Sequence, residues 1–438
     1  MCTVPGRQGL PAVYLQRINQ YNALLLSKRT VKIAFIVYEF PKLSESFVVS
    51  QITGLLDSGH DVRIFADRNP QEPQINADVL KYHLIGRTCY IRPISENKTI
   101  RRLKTLLLLG LNLLKGPVKL SKVLKILLTR PEGFSYNLLY YAFAFLRKDF
   151  DIIHCHFGPA GNIGSFLKQA GCQTRVITTF HGYDVTKYVK EHGPDVYKRL
   201  FGNGDLFTYN SEATRERILA LGCPSERMVK LPMGINTDRI AFAERKVSGD
   251  EQINILSVGR LIEMKGREYA IKAVAKIIGK FPNVRYNIVG DGPLRESLEK
   301  LINDLGSAHA ISLLGWVGSD KLDSLYKSSH IFLHPSVKAG DGNMEGQGVV
   351  LLEAMAYGLP FVATNHGAFC ETVGAGFSDM LVPERDVDAL AERLEYLITN
   401  RQTWPGLGKN GRAHVRQHYD IKLLNQKLAQ IYHDLINH

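Results

Sequence analysis

Residues 31–66, VKIAFIVYEFPKLSESFVVSQITGLLDSGHDVRIFA, decide the fold class. VKIAFIVY and DVRIFA are short runs rich in Val, Ile and Phe, and the segment SESFVVSQITGLLDSG between them carries a helical pattern. Strand, helix and strand in that order make a βαβ unit, which predicts a parallel sheet. Beyond it, DIIHCHF, TRVITTF, DLFTYN and ERMVKLP are further strand-like runs, each closed by turn residues. Together they predict a first α/β domain over residues 31–240, preceded by an extension at 1–30.

The alternation lapses after LPMGINTDRI, and the polar residues 241–250 read as a linker. A second series follows over 251–415: INILSVG, VRYNIVG, ISLLGWV, IFLHPS and FVATN, with helices expected to begin near Lys265, Pro293, Asp320 and Gly348. Residues 416–438 are expected to form a C-terminal helix that returns to the first domain. Two Rossmann-like domains would face each other across a deep cleft, and ligands of open α/β sheets bind beyond the carboxyl ends of the strands. The informative residues should therefore follow strands.

Composition agrees with a globular chain. In 438 residues, 45% are apolar and 22% charged, which excludes a largely disordered or fibrous protein. Six cysteines stand without a C-x-x-C pair, so neither a zinc site nor a disulfide framework is expected, and a reducing, cytosolic setting fits. No secretory signal is read at the N-terminus, and the longest apolar run, Thr105–Leu114, is too short to cross a bilayer. No nucleic-acid partner is expected. The net charge of +13 has one local anomaly: between Asn97 and Arg130 nine Lys or Arg residues stand among leucines without an Asp or Glu.

In SVGRLIEMKG (257–266), Arg260 follows a strand and Lys265 opens a helix, so two cations and a helix N-terminus can meet one diphosphate. In DGNMEGQGVVLLEAMAYGLP (341–360), Glu345 precedes a glycine-rich turn and Glu353 lies on the helix that follows. Gly346, Gln347, Gly348, Val349 and Val350 form the turn and first helical positions, where backbone N–H groups face an anion. Carboxylates accept pairs of hydroxyl donors, which suits sugar and ribose diols. These residues are expected to bind ligand, and substitutions there to spare the fold.

In TTFHGYD (178–184), His181 and Asp184 follow a strand and face the expected cleft, although Asp184 could equally cap the next helix. His154 and His156 alternate on a strand, one ring is expected to point away from the other, and a core or turn role is expected for both. In EFPKLSESF (39–47), Ser44 can cap the helix that follows, with Glu45 in its first turn. Asp386-Val387-Asp388 reads as a helix-capping cluster, so no metal site is expected.

Taken together, SVGRLIEMKG, IVGDGPL, EGQGVVLLEAMAYGLPFVAT and LPMGIN resemble the family 4 glycosyltransferases of the GT-B fold, over roughly residues 31–438. FP-x-L-SE-x-F resembles the branch that builds bacterial exopolysaccharides such as colanic acid and amylovoran, whereas many relatives carry paired glycines in that loop. The resemblance implies that Arg260 and Lys265 hold the donor diphosphate, Glu345 the transferred sugar and Glu353 the ribose. It places His181 against the sugar, and Trp316 and Val317 near the base; a buried Trp316 anchoring the core is the competing account.

The expected reaction is metal-independent transfer of a hexose from a nucleoside-diphosphate sugar, without a further cofactor. Retention of configuration, with the leaving phosphate taking the acceptor proton, is implied by the family alone. The acceptor is expected to be a lipid-linked oligosaccharide, with Ser44, Glu45 and Asp184 as acceptor or loop candidates. Residues 97–130 could hold the enzyme to an anionic membrane surface or pack as core-facing helices. An epimerase of the same architecture and a non-enzymatic nucleotide-sugar-binding protein are the alternatives.

Overall fold

The computed structural model describes residues 30–72, 74–91, 97–113, 117–130, 133–145 and 148–437. The extension expected at 1–30 lies outside the described residues except for Thr30, as do Leu114, Lys115 and Gly116 of the basic stretch.

The first sheet contains β1 (Lys32–Glu39), β2 (Asp61–Arg68), β3 (Thr88–Tyr90), β4 (Ile152–His156), β5 (Arg175–Phe180), β6 (Leu206–Tyr209) and β7 (Met228–Lys230). Its order is β3-β2-β1-β4-β5-β6-β7, and every pairing is parallel. The second contains β8 (Ile253–Val258), β9 (Val284–Val289), β10 (Ile311–Gly315), β11 (Ile331–His334), β12 (Phe361–Thr364) and β13 (Leu381–Val382). It runs β10-β9-β8-β11-β12-β13, again all parallel, so the same doubly wound order occurs twice. Each sheet has its switch point at its centre, between β1 and β4 and between β8 and β11, and there the loops diverge to leave a crevice.

The central strands show why the sheets are covered on both faces. Ile33 to Val37 are five successive buried residues, the mark of a parallel strand sandwiched between helices. On one side of β1 the helix Ser46–Asp57 contributes Phe47, Val48, Ile52 and Leu55 to the core; on the other, Ala34 and Ile36 meet Phe65, Leu139 and Phe166.

The chain passes between domains twice, side by side. Going out, Ile235 donates to the carbonyl of Tyr419 at 2.9 Å; coming back, Ile421 donates to the carbonyl of Ile235 at 2.9 Å. The helix Ile421–Asn437 then lies on the first domain, where Leu424, Leu428 and Tyr432 join its core and Asn425 donates to the Ser50 carbonyl at 3.1 Å. A methyl group at Gly54 would strike Asn425, so glycine lets the two helices approach. Within the polar segment read as a linker, Arg245 is buried and its guanidinium caps the carbonyls of Tyr326, Lys327 and Tyr357. That segment is docked on the second domain, and the passage itself lies near Ile235.

Replacing Leu428, fully buried in the first domain's core, with Ala should lower stability by ~2–5 kcal/mol, read from urea unfolding. Wild-type stability would mean that the last helix is not integral to the first domain.

Candidate functional site

The carboxyl ends of β8 and β11 hold a buried ionic cluster. Lys265 enters it from the turn Glu263–Lys265 after β8, and Glu345 from the loop before the helix Val349–Ala356. The Lys265 ammonium meets Glu345 Oε1, and both side chains are 11% exposed, so the charges interact through little water. On the other oxygen, Ser336 Oγ donates at 2.6 Å and His334 Nε2 lies at 3.0 Å. Burial would raise the Glu345 carboxyl, but Lys265 and His334 hold it well below the usual carboxylate range. Burial likewise lowers Lys265, and lowers His334 to about 4, so neutral His334 donates from Nε2.

A second layer fixes the loop. The Glu345 amide donates to His366 Nε2 at 3.0 Å, so the proton of His366 resides on Nδ1, which faces Glu384 Oε1 at 2.6 Å. Beneath the turn lies Arg267, 2% exposed; one nitrogen donates to the Val258 carbonyl at 2.8 Å, and the guanidinium also lies against the Tyr286 hydroxyl. Arg260 sits on the surface above. Lys265 is paired with Glu345, while Arg260 and Arg267 lie close enough to Lys265 to disfavour its charge, a surplus of positive charge that an anion would balance.

The helix Val349–Ala356 adds to that surplus. Its N-cap is Gly348 at φ 72°, with no side chain capping the first amides, and Val349 and Val350 are only partly covered. On the same helix Glu353 accepts from the Tyr326 hydroxyl at 3.0 Å, and burial raises its carboxyl to about 7. Trp316, at the carboxyl end of β10, is 53% exposed and anchors no core; the buried tryptophan is Trp404, and Val317 packs partly against the second domain's core.

Across the cleft, His181 follows β5. Its Nε2 lies 3.0 Å from His156 Nδ1, and its Nδ1 has no partner. Burial, then His156, holds His181 well below the imidazole range, so it is neutral. His154 and His156 do not diverge: positions i and i+2 of a strand share a face, and the rings stack at 4.6 Å between centroids. His154 is further fixed by Tyr432 at 2.6 Å and Thr179 at 2.7 Å. The two domains meet here, since a methyl group on Gly346 would collide with the His181 carbonyl.

Three further sequence expectations change. Asp184 neither caps the helix that follows it nor lines the cleft: it is fully buried and accepts the amides of His181 at 3.1 Å, Gly182 at 2.8 Å and, at 3.0 Å, Gly158, the first residue of the preceding helix Gly158–Gln169. Beside the turn amides, the Gln347 side chain exchanges two 2.7 Å hydrogen bonds with the Met233 backbone. Ser44 does not cap: a short turn, Leu43–Glu45, intervenes, the helix starts at Ser46, and Glu45 at its N-cap makes no capping bond but pairs with Lys42 at 3.4 Å. Lastly, Lys265 and Glu345 serve the fold as well, being each other's counter-ions.

Sequence reasoning missed His334, Ser336, His366 and Arg267. The signal for the first two was IFLHPS, where polar residues end an apolar strand next to the switch point. Asp386 accepts the Ala389 amide at 2.9 Å, and Asp388 pairs with Lys276. Among the described residues no group of three or more His, Cys, Asp or Glu could hold a metal ion.

Comparison with known proteins covers both halves of the chain. Residues 44–239 match the model of Glycosyltransferase Family 4, and residues 238–414 that of Glycosyl transferases group 1. WcaL of Salmonella typhimurium, assigned to colanic acid biosynthesis, is 33% identical over 92% of this chain and 99% of its own. The amylovoran biosynthesis glycosyltransferase AmsK of Erwinia amylovora is 32% identical over the same shares, 92% and 99%. In fold, the chain is similar to Anabaena HepE crystallised with UDP and glucose (TM-score 0.67, 17% identity, 92% and 100% covered). It is also similar to sucrose-phosphate synthase of Thermosynechococcus elongatus (TM-score 0.69, 20% identity, 93% and 100% covered).

Two predictions follow from the charges. Lys265→Ala leaves Glu345 without its counter-ion, and should destabilise the ligand-free protein by about 3–5 kcal/mol, more than Lys265→Ala with Glu345→Gln; thermal unfolding of both variants decides. Nucleotide affinity should rise between about pH 6 and pH 8, as the raised Glu353 carboxyl ionises and becomes able to accept two hydroxyls. Calorimetry on Glu353→Gln should show that rise abolished; an unchanged slope would detach Glu353 from the nucleotide.

Proposed function

The chain belongs to the family 4 glycosyltransferases, and from that premise we propose that it transfers a hexose, with retention, from a nucleoside-diphosphate sugar to a lipid-linked oligosaccharide. The observation that carries the reading is the positive surplus at the carboxyl ends of β8 and β11, opposite His181. A diphosphate would balance Arg260 and Lys265 and accept from the uncapped amides of Val349 and Val350.

In that site Glu345 has both oxygens engaged by Lys265, His334 and Ser336, leaving about one of its four lone-pair positions for a sugar hydroxyl. It positions Lys265 as much as it binds sugar. Glu353 would take the ribose hydroxyls, and exposed Trp316 lies near the end of the nucleotide path. The unpartnered Nδ1 of His181 offers one hydrogen-bonding position to the sugar. As the glycosidic bond to the diphosphate breaks, charge grows on its leaving oxygen, and Arg260, Lys265 and the helix amides stabilise it. The acceptor hydroxyl bonds to the anomeric carbon and gives its proton to the departing phosphate. Exopolysaccharide or cell-surface glycan synthesis is the setting that the names of WcaL and AmsK support.

The test incubates the purified protein with a panel of nucleotide sugars, with and without lipid-linked oligosaccharide, in excess chelator. Product should require acceptor and persist in EDTA, because protein cations supply the charge, and Glu345→Gln should lose at least ~100-fold in turnover. An epimerised sugar formed without acceptor, or binding with neither transfer nor hydrolysis, would replace this reading with an epimerase or a binding protein.

A further inference from the structure

The helix Lys98–Leu113 is packed inside out. Its buried positions are polar: Thr105 is 7% and Asn112 6% exposed. Leu103, Leu106 and Leu107 face outward at 61%, 63% and 65% exposed, Ile100 stands out beside them, and Leu108 and Leu109 are half-buried. At roughly 100° per residue, positions 100, 103, 106 and 107 form one stripe, and Arg102 and Lys104 stand on its two flanks, both exposed. The following helix, Pro117–Leu128, buries Leu120, Val123 and Leu127 but exposes Val118 and Leu128 among the exposed cations Lys119, Lys122 and Lys125. Over residues 97–130 the sequence has no acidic residue.

A solvated helix would turn its leucines inward, and a site for an ordinary protein partner would mix charges of both signs. Leucines flanked by cations alone suit the boundary of an anionic bilayer, where leucines enter the acyl region and cations meet lipid phosphates. No helix among the described residues is long and apolar enough to cross a membrane, so the contact is made from one side. We propose that this outward leucine stripe, with its flanking cations, docks the enzyme on an anionic lipid surface.

Its position is consistent with a membrane-borne acceptor. The Thr105 hydroxyl lies 3.3 Å from the Tyr140 hydroxyl, and Arg101 stacks 4.9 Å over Tyr136, so the helix is fastened to the segment Tyr136–Phe145. From that segment Tyr141 donates at 2.8 Å to Asp67, at the carboxyl end of β2. The lipid-facing helix is thus tied to the sheet end that opens on the cleft. Only this purpose rests on the lipid-linked acceptor proposed above; docking itself does not.

The experiment is sedimentation of the full chain with phosphatidylcholine vesicles and with vesicles containing phosphatidylglycerol, without donor or acceptor. Binding should require the anionic lipid and weaken with salt. It should fall by about tenfold or more in Leu103→Ser/Leu106→Ser/Leu107→Ser, and likewise in Arg102→Gln/Lys104→Gln/Lys122→Gln/Lys125→Gln. Transfer to a water-soluble acceptor should be unchanged in both, and failure of that assay alone would touch the transferase reading and leave docking intact. Equal binding to both vesicle types, or undiminished binding by either variant, overturns the proposal. So does a concentration-dependent dimer that the leucine variant abolishes, since a second copy would then be what covers the stripe. Should a variant misfold, the lipid and salt dependence of the wild-type protein decides.

Discussion

A parallel strand covered by helices on both faces can carry almost no charge along its length, because an unpaired charge there has no water. Everything chemical in this protein follows from that constraint. Polar groups are pushed to the carboxyl ends of the strands, and the strand order, repeated in both domains, places those ends at two central switch points. Arg260 and Lys265 follow β8, His334 and Ser336 end β11 or follow it, and His181 follows β5. These residues are far apart in sequence and adjacent in space because the topology gives them nowhere else to go.

At that meeting point the Lys265–Glu345 pair governs the rest. Removing two charges from water is costly, and mutual attraction repays it only with further hydrogen bonds, which Ser336 and His334 provide. Glu345 is held in turn through its backbone by His366 and Glu384. The result is a lysine held in place before any ligand arrives, with Arg267 adding a buried charge behind it. Preorganised charge of this kind needs little rearrangement when negative charge develops on a leaving group.

Much of this was legible in the sequence. Runs such as IAFIV announce covered strands; Arg260 and Lys265 could be picked out because they follow one, and Glu345 because it precedes a glycine-rich turn at the start of a helix. His334 was not, since a lone histidine in an apolar run looks like core until the distant carboxylate beside it is known. Arg267 looked like one more cation on an amphipathic helix. Asp184 was misread, and the Gln347 side-chain contact not foreseen, because their partners are backbone groups at Met233, Gly158 and Gly182, which no side-chain pattern encodes. In the helix Lys98–Leu113 periodicity revealed a stripe but not its direction, which shows only in the fold, where Thr105 faces Tyr140 and Arg101 lies over Tyr136.

The Gln347 clasp has a mechanical meaning. Met233 is two residues from Ile235, where the chain crosses between domains, so the clasp lies within ~7 Å of the crossing along the chain. Two buried hydrogen bonds beside the crossing hold the two domains together where the chain itself already joins them. At the exposed rim, by contrast, Lys187 and Asp341 join the domains at 2.8 Å in a water-screened ion pair worth at most about 1 kcal/mol. The rim contact therefore lies in water, and the buried one lies beside the crossing. Gln347 also adjoins Gly348, which opens the helix proposed to bind the diphosphate. Through that one amide, the crossing between the domains and the start of that helix are parts of a single linkage.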